Sequence, residues 1–281
     1  MTSASLEASG LSLVSAASWG GGDFAGGVAT KRANVFRVVA VAHACGLAAM
    51  LALAWLTGEA IPPHIDLWWG TAAGITGAFG IAALYKALAI GRMGVVAPVA
   101  AVITGVLPVL VGMRSEGLPD RIQLFGFALA LVSVWLVARP SETIDTHRGL
   151  GLAVLAGVMF GLFLVAGKQA GHHGVFWPMV AARLASTTLM CVIVSFSPRD
   201  PRPLRNVLWA MVLSGLLDSA GNALFIAATR YGRLDVTAVL SSLYPASTVI
   251  LARVLLKERI SKSQGAGIVG ALASVALISF R

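Results

Sequence analysis

The chain has 281 residues, of which 12% are charged and 57% apolar, with 31 glycines besides. A soluble domain carries charge on about a quarter of its residues, and a disordered chain combines low hydrophobicity with dense charge; both classes are excluded, and a polytopic membrane protein remains. The net charge of +9 does not point to nucleic acid, because Lys and Arg fall singly or in short groups between apolar runs, as topology anchors do.

In chain order, Met1–Gly10 has no basic residue ahead of its apolar stretch, which reads against a cleaved signal peptide. Ten apolar runs follow, at 11–29, 36–56, 67–90, 95–113, 122–138, 150–170, 177–196, 207–229, 235–256 and 264–280. Each is close to the ~20 residues that a membrane-spanning helix needs. The breaks between them, such as Lys31-Arg32, Ile61-Pro62-Pro63 and Arg139–Arg148, are too short to hide a soluble domain. Cys45 and Cys191 lie inside apolar runs and read as small core residues rather than a disulfide or a thiol–metal site.

The chain also repeats itself at an offset of 141, which aligns Gly20 with Gly161, Trp68 with Trp209, Gly80 with Gly221, Gly91-Arg92 with Gly232-Arg233, and Gln123 with Gln264. The expected architecture is all-α: ten transmembrane helices in two five-helix repeats, 10–139 and 150–281. Five is odd, so the second repeat enters the membrane from the opposite side. Inverted repeats of this kind build carriers with a mid-membrane site between the halves. Lys and Arg favour the side away from the N-terminus, which by the positive-inside rule puts both termini outside.

At this point a family resemblance emerges. Ala223–Ile278 contains Ala-Leu-Phe-Ile-Ala-Ala, Gly232-Arg233, Tyr244-Pro245, Lys257-Glu258-Arg259-Ile260-Ser261 and Gln264-x-x-Gly267; the first half has Ala83-Leu84-Tyr85-x-Ala87, Leu107-Pro108, Glu116 and Gln123-x-x-Gly126, and opens on Ser18-Trp19-Gly20-Gly21-Gly22-Asp23-Phe24. Together these resemble the EamA-type drug/metabolite transporters, over essentially the whole chain. The resemblance implies a central cavity lined by helices one, three, four, six, eight and nine, and small metabolites such as amino acids, drugs or sugars as substrates, many moved outward. It also implies cytoplasmic termini, against the charge distribution. The helix prolines Pro108 and Pro245 do not align at the 141 offset, so the halves are expected to bend at different heights.

Ionisable groups inside a span are costly and face a cavity or a partner. Asp23 and Asp218 are the acids deep inside runs, and Asn222 shares a helix face with Asp218. Either the acids hold a substrate ammonium or a coupling proton, or they pair with Arg183, His43 or Lys168 to fix packing. Asp235 reads as a helix N-cap. Lys86 and Arg230 sit near run ends and can snorkel, and His172-His173 has no further ligands for a metal. Trp19, Phe24, Phe79, Tyr85, Phe160, Phe163, Phe225 and Tyr244 form the expected aromatic lining; the offset pairs Trp19 with Phe160 across the repeat axis. Such rings either stack a flat amphipathic solute or simply pack. Pro98, Pro108 and Pro245 are the expected hinges.

No Gly-x-Ser-x-Gly, Walker or His-Glu-x-x-His pattern occurs, and no filter-like loop. The sequence therefore reads as a secondary transporter rather than an enzyme or channel, with no cofactor and no metal. Its expected partners are a small-molecule substrate, the lipid bilayer and a proton as the candidate coupling ion. Its expected place is the bacterial cytoplasmic membrane. The favoured reading is an amino-acid exporter that includes aromatic substrates; the alternative is a carrier of cationic drugs or other metabolites.

Overall fold

The computed structural model describes residues 3–30, 32–90, 93–137, 149–197, 204–255 and 261–279. They form helices α1 (Ser3–Thr30), α2 (Val35–Leu56), α3 (His64–Ile90), α4 (Met93–Glu116), α5 (Arg121–Val137), α6 (Leu150–Ala170), α7 (Phe176–Phe196), α8 (Leu208–Tyr231, preceded by a 3-10 turn at Leu204–Val207), α9 (Leu234–Ser241), α10 (Tyr244–Leu255) and α11 (Lys262–Ser279). No strand occurs among the described residues. Among the described residues, six stretches are long and apolar enough to cross a membrane: Val35–Leu56, His64–Leu84, Val99–Glu116, Leu150–Ala170, Phe176–Phe196 and Arg205–Tyr231.

Two expectations need correcting. The run 235–256 is not one helix: it breaks into α9 and α10 at Ser242-Leu243. Pro245 has no backbone N–H and so cannot bond back to the carbonyl four residues earlier, which suits the first turn of a new helix better than the interior of an old one. At the equivalent place in the first half stands Thr104, and α4 runs on without a break through Thr104 and Pro108. The second correction concerns Cys191, which is exposed on α7 rather than part of the core.

The repeat is written into the helix boundaries. α2 and α7 begin 141 residues apart (Val35 and Phe176), as do α4 and α9 (Met93 and Leu234) and α5 and α11 (Arg121 and Lys262), and α3 and α8 end 141 apart (Ile90 and Tyr231). Packing repeats as well. The offset carries the α1–α8 contact onto α6–α3, α2–α8 onto α7–α3, and the contacts of α1 with α9 and α10 onto α6–α4, while α2–α7 and α5–α11 map onto themselves.

Glycines set the closest approaches. Gly74 lies against the Ala182 backbone and Gly215, its repeat equivalent, against that of Ala42, so α3–α7 and α2–α8 pack backbone to backbone, as small residues allow in a membrane. The order of such contacts gives directions. Gly70 meets Pro178 and Gly74 meets Ala182, so α3 and α7 run parallel. Gly22 meets Asp218 while Gly232 meets Ala8, so α1 and α8 run antiparallel; Gly77 meets Phe163 and Gly80 meets Phe160, so α3 and α6 do too.

Large apolar side chains cover much of the outside, among them Trp55, Trp68, Leu110, Phe125, Phe196, Trp209 and Leu272. Buried among the helices are Ser12, Ser15, His43, Arg183, Asn222 and Asp235. Apolar outside with polar groups held inside is the arrangement that lipid favours.

Candidate functional site

α1, α2, α3, α4, α6, α7, α8 and α10 surround a cavity in the middle of the bundle, lined by residues that include Trp19, His43, Gly77, Thr104, Phe163, Arg183, Asp218 and Tyr244. It leaves about 100 Å³ for the centres of water-sized spheres. A single water needs ~10–15 Å³ on that measure, so a small solute fits here rather than one water.

Two of its walls are equivalent by the repeat and opposite in chemistry. On α1 and α8 stand Trp19, Asp23, Asp218 and Asn222; 141 positions away, on α6 and α3, stand Phe160, Leu164, Gly77 and Ile81, and all eight line the cavity. The backbone geometry is shared. Each large ring lies over a glycine of the partner helix: a Cβ at Gly221 would sit 2.5 Å from Trp19 Cδ1, and one at Gly80 would sit 2.7 Å from Phe160 Cδ1. The side-chain bonds are not shared. Trp19 Nε1 donates to Asn222 Oδ1 at 2.7 Å, and its ring contacts Phe225 at 5.9 Å and the edge of Tyr244 at 6.5 Å. Phe160 has no donor and Ile81 no acceptor, so the other wall is an apolar copy.

α2 and α7 complete the polar wall. Arg183 Nη2 forms an ion pair with Asp218; the Arg183 side chain is almost entirely buried while that of Asp218 is 28% exposed toward the cavity. A guanidinium at this depth requires such a partner. His43 stands beside the pair on α2. A second cavity of about 20 Å³, room for a water or two, shares Asp23, His43 and Asp218 with the first and adds Ser214 and Val38. It extends toward the end of the bundle where α2 and α8 begin.

Of the residues expected to bind substrate, Trp19, Asp23, Phe160, Phe163, Asp218, Asn222 and Tyr244 come together at the cavity. Phe24 is half-buried but not part of the lining, and Phe79 is 48% exposed on the outer surface of α3. The Tyr85 side chain lies outside the described ones, as do those of the hinge candidates Pro98 and Pro245; Pro108 is buried within a continuous α4. Lining by α2 and α7 was not expected, nor were Ser186 and Met179 as wall residues. Arg183 itself carried the signal, since a guanidinium seven residues into an apolar helix must meet an acid at matching depth, and Asp218 was the acid available.

At the end where α7 and α9 begin, the halves are tied by polar contacts. Glu59 accepts from the backbone N–H groups of Val175, Phe176 and Trp177 at 2.8–2.9 Å, Asp66 Oδ2 meets His173 Nδ1 at 3.0 Å, and Glu116 pairs with Lys168. Glu116 Oε2 also accepts from Leu234 N at 2.9 Å and Asp235 Oδ1 from Val236 N at 2.8 Å, so two carboxylates serve the first turn of α9, while the N-cap position itself is Arg233 and not Asp235. Asp235 is fully buried in the first turn and accepts from Arg233 Nε and Nη2 at 3.0 and 2.7 Å; these bonds hold the Arg233 guanidinium above its ordinary value. Arg233 in turn donates to the carbonyls of Glu116 and Gly117. Acids of the first half thus cap helices of the second, where helix N-termini favour negative charge.

A sequence model of the EamA-like transporter family matches the chain twice, over residues 8–139 and 147–280. A protein of known crystal structure has a similar fold, with a TM-score of 0.77 over 96% of this chain and 95% of that chain, at 19% sequence identity. No curated protein matches the chain in sequence.

Proposed function

The chain belongs to the EamA-like transporter family of the drug/metabolite transporter superfamily, and on that premise we propose that this integral membrane transporter of small solutes is a secondary carrier of amphipathic metabolites, amino acids including aromatic ones foremost. It works by alternating access from two inverted five-helix units, 10–139 and 150–281, in which α9 and α10 together make one crossing of ten. The antiparallel pairing of α1 with α8 and of α3 with α6, with α3 parallel to α7, supports the inversion.

The observation that carries the substrate reading is the contrast between repeat-equivalent walls. Asp23, Asp218, Asn222 and the Trp19 indole face one side of the cavity, and Phe160, Leu164, Ile81 and Gly77 face the other. A solute with a polar head and an apolar or aromatic body satisfies both walls at once, which a uniformly polar or uniformly apolar solute does not. The contacts joining Glu59, Asp66 and Glu116 to the second half act as the closed gate at that end, and Asp23 with Asp218 is the candidate proton-carrying pair beside the smaller chamber. Export across a bacterial cytoplasmic membrane is the direction we favour.

The test is purified protein in liposomes. It is expected to speed equilibration of labelled aromatic amino acids well beyond protein-free vesicles, with a rate that falls when an imposed pH gradient is collapsed. A rate equal to that of protein-free vesicles across a panel of amino acids overturns the substrate assignment, and indifference to the gradient overturns proton coupling.

A further inference from the structure

The polar wall holds two buried nitrogens without a hydrogen-bond partner. Arg183 is 4% exposed and His43 5% exposed, both line the main cavity, and Arg183 Nε and His43 Nδ1 are buried with no hydrogen-bond partner. Two of the acceptor atoms near them are engaged: Asp218 Oδ2 by Arg183 Nη2 and Asn222 Oδ1 by Trp19. A guanidinium only donates, and an imidazole nitrogen can donate in the right tautomer. Leaving a buried donor unpaired is costly, so an acceptor brought into this corner of the cavity would be held there. The planar fork of an arginine fits a carboxylate best, and its hydrogen bonds to an anion are the strong kind.

We infer that Arg183 and His43 form a carboxylate subsite, so that the transported solute carries a carboxylate at its polar end. Asp23, on the same polar wall and sharing the smaller chamber with His43, takes the ammonium of a zwitterion, and the rings of Phe160 and Phe163 take the apolar body. This rests on reading the cavity as the transport site, and it separates carboxylate-bearing solutes from cationic drugs, which Asp23 alone would admit.

The experiment uses the full chain in liposomes, with counterflow of labelled L-phenylalanine and three unlabelled competitors: phenylalanine, its methyl ester, and phenethylamine. The ester and the amine are expected to compete at least about tenfold more weakly than the acid, the loss of one charge-assisted contact. His43→Leu leaves the Arg183–Asp218 pair intact; it is expected to raise half-saturation for phenylalanine about tenfold with an unchanged melting temperature. Equal competition by the ester and the amine overturns the subsite, as does an unchanged half-saturation in His43→Leu. Transport of phenethylamine without phenylalanine also overturns it while leaving a carrier in place. No flux of either above protein-free vesicles removes the carrier reading together with the subsite.

Discussion

The wall made by α1 and α8 and the wall made by α6 and α3 are the same construction with different side chains. In both, a large ring projects over a glycine of the antiparallel partner helix (Trp19 over Gly221, Phe160 over Gly80). The positions around the ring then diverge: Asp23 against Leu164, Asn222 against Ile81, Asp218 against Gly77. The repeated backbone geometry therefore sets the shape of the cavity, and the side chains that differ between the repeats set its chemistry. Backbone approach is demanding, because a Cβ at either glycine collides with a ring. Polarity is less so, since Asn222 and Ile81 stand at equivalent positions of helices that pack alike.

The largest effect is expected from the ion pair, which only the polar wall has. Arg183→Leu leaves Asp218 unpaired beside a membrane cavity and should cost ~3–5 kcal/mol, seen as a sharply lowered melting temperature and lost flux. The double variant Arg183→Leu/Asp218→Leu should recover most of the melting temperature, since apolar replacement of a buried pair is near neutral, but none of the flux. Recovery of both would reduce the pair to packing. Next come the glycines. Gly221→Ala and Gly80→Ala each force a ring to move, at ~1–3 kcal/mol, and should lower flux to a similar degree; a large effect at only one of them would break the geometric equivalence. A smaller effect is expected from Trp19→Phe, which gives the polar wall the ring chemistry of Phe160. It removes the bond to Asn222, worth ~1 kcal/mol, and should slow transport about fivefold with little change in melting temperature. Phe79→Ala, on the outer surface, should leave flux unchanged; a large loss there would place the path outside the cavity described.

Much of this was legible in the sequence, for physical reasons that differ by feature. Apolar run lengths and the 141-residue offset follow from the bilayer and from duplication, and both survive composition bias because Trp, Gly-Arg and Gln recur at one spacing. The face that each ring presents was not legible. A membrane helix is apolar toward lipid and toward its neighbours alike, so periodicity does not separate Phe79, which faces out, from Phe163, which faces in. The break between α9 and α10 was visible only as a proline; that it ends a helix at Pro245 and not at Pro108 depends on the surroundings of each. Asp235 does accept from an α9 first-turn N–H, but it stands inside the helix and not at its N-cap, and the second acceptor, Glu116, was not legible because it arrives from the end of α4. His43 and Arg183 are legible as candidate partners of the two acids, but the place of α2 and α7 in the lining depends on Gly74 and Gly215, which let α3–α7 and α2–α8 pack backbone to backbone.

The contrast between the walls is tested most directly by removing it at one position. Asn222→Ile copies Ile81 onto the polar wall without touching the Arg183–Asp218 pair. In liposomes, flux of labelled phenylalanine through the variant is expected to fall about tenfold or more, with the melting temperature lowered only by the ~1–3 kcal/mol of the unpaired Trp19 donor. Flux equal to that of the unaltered chain would contradict a solute held between a polar wall and its apolar copy.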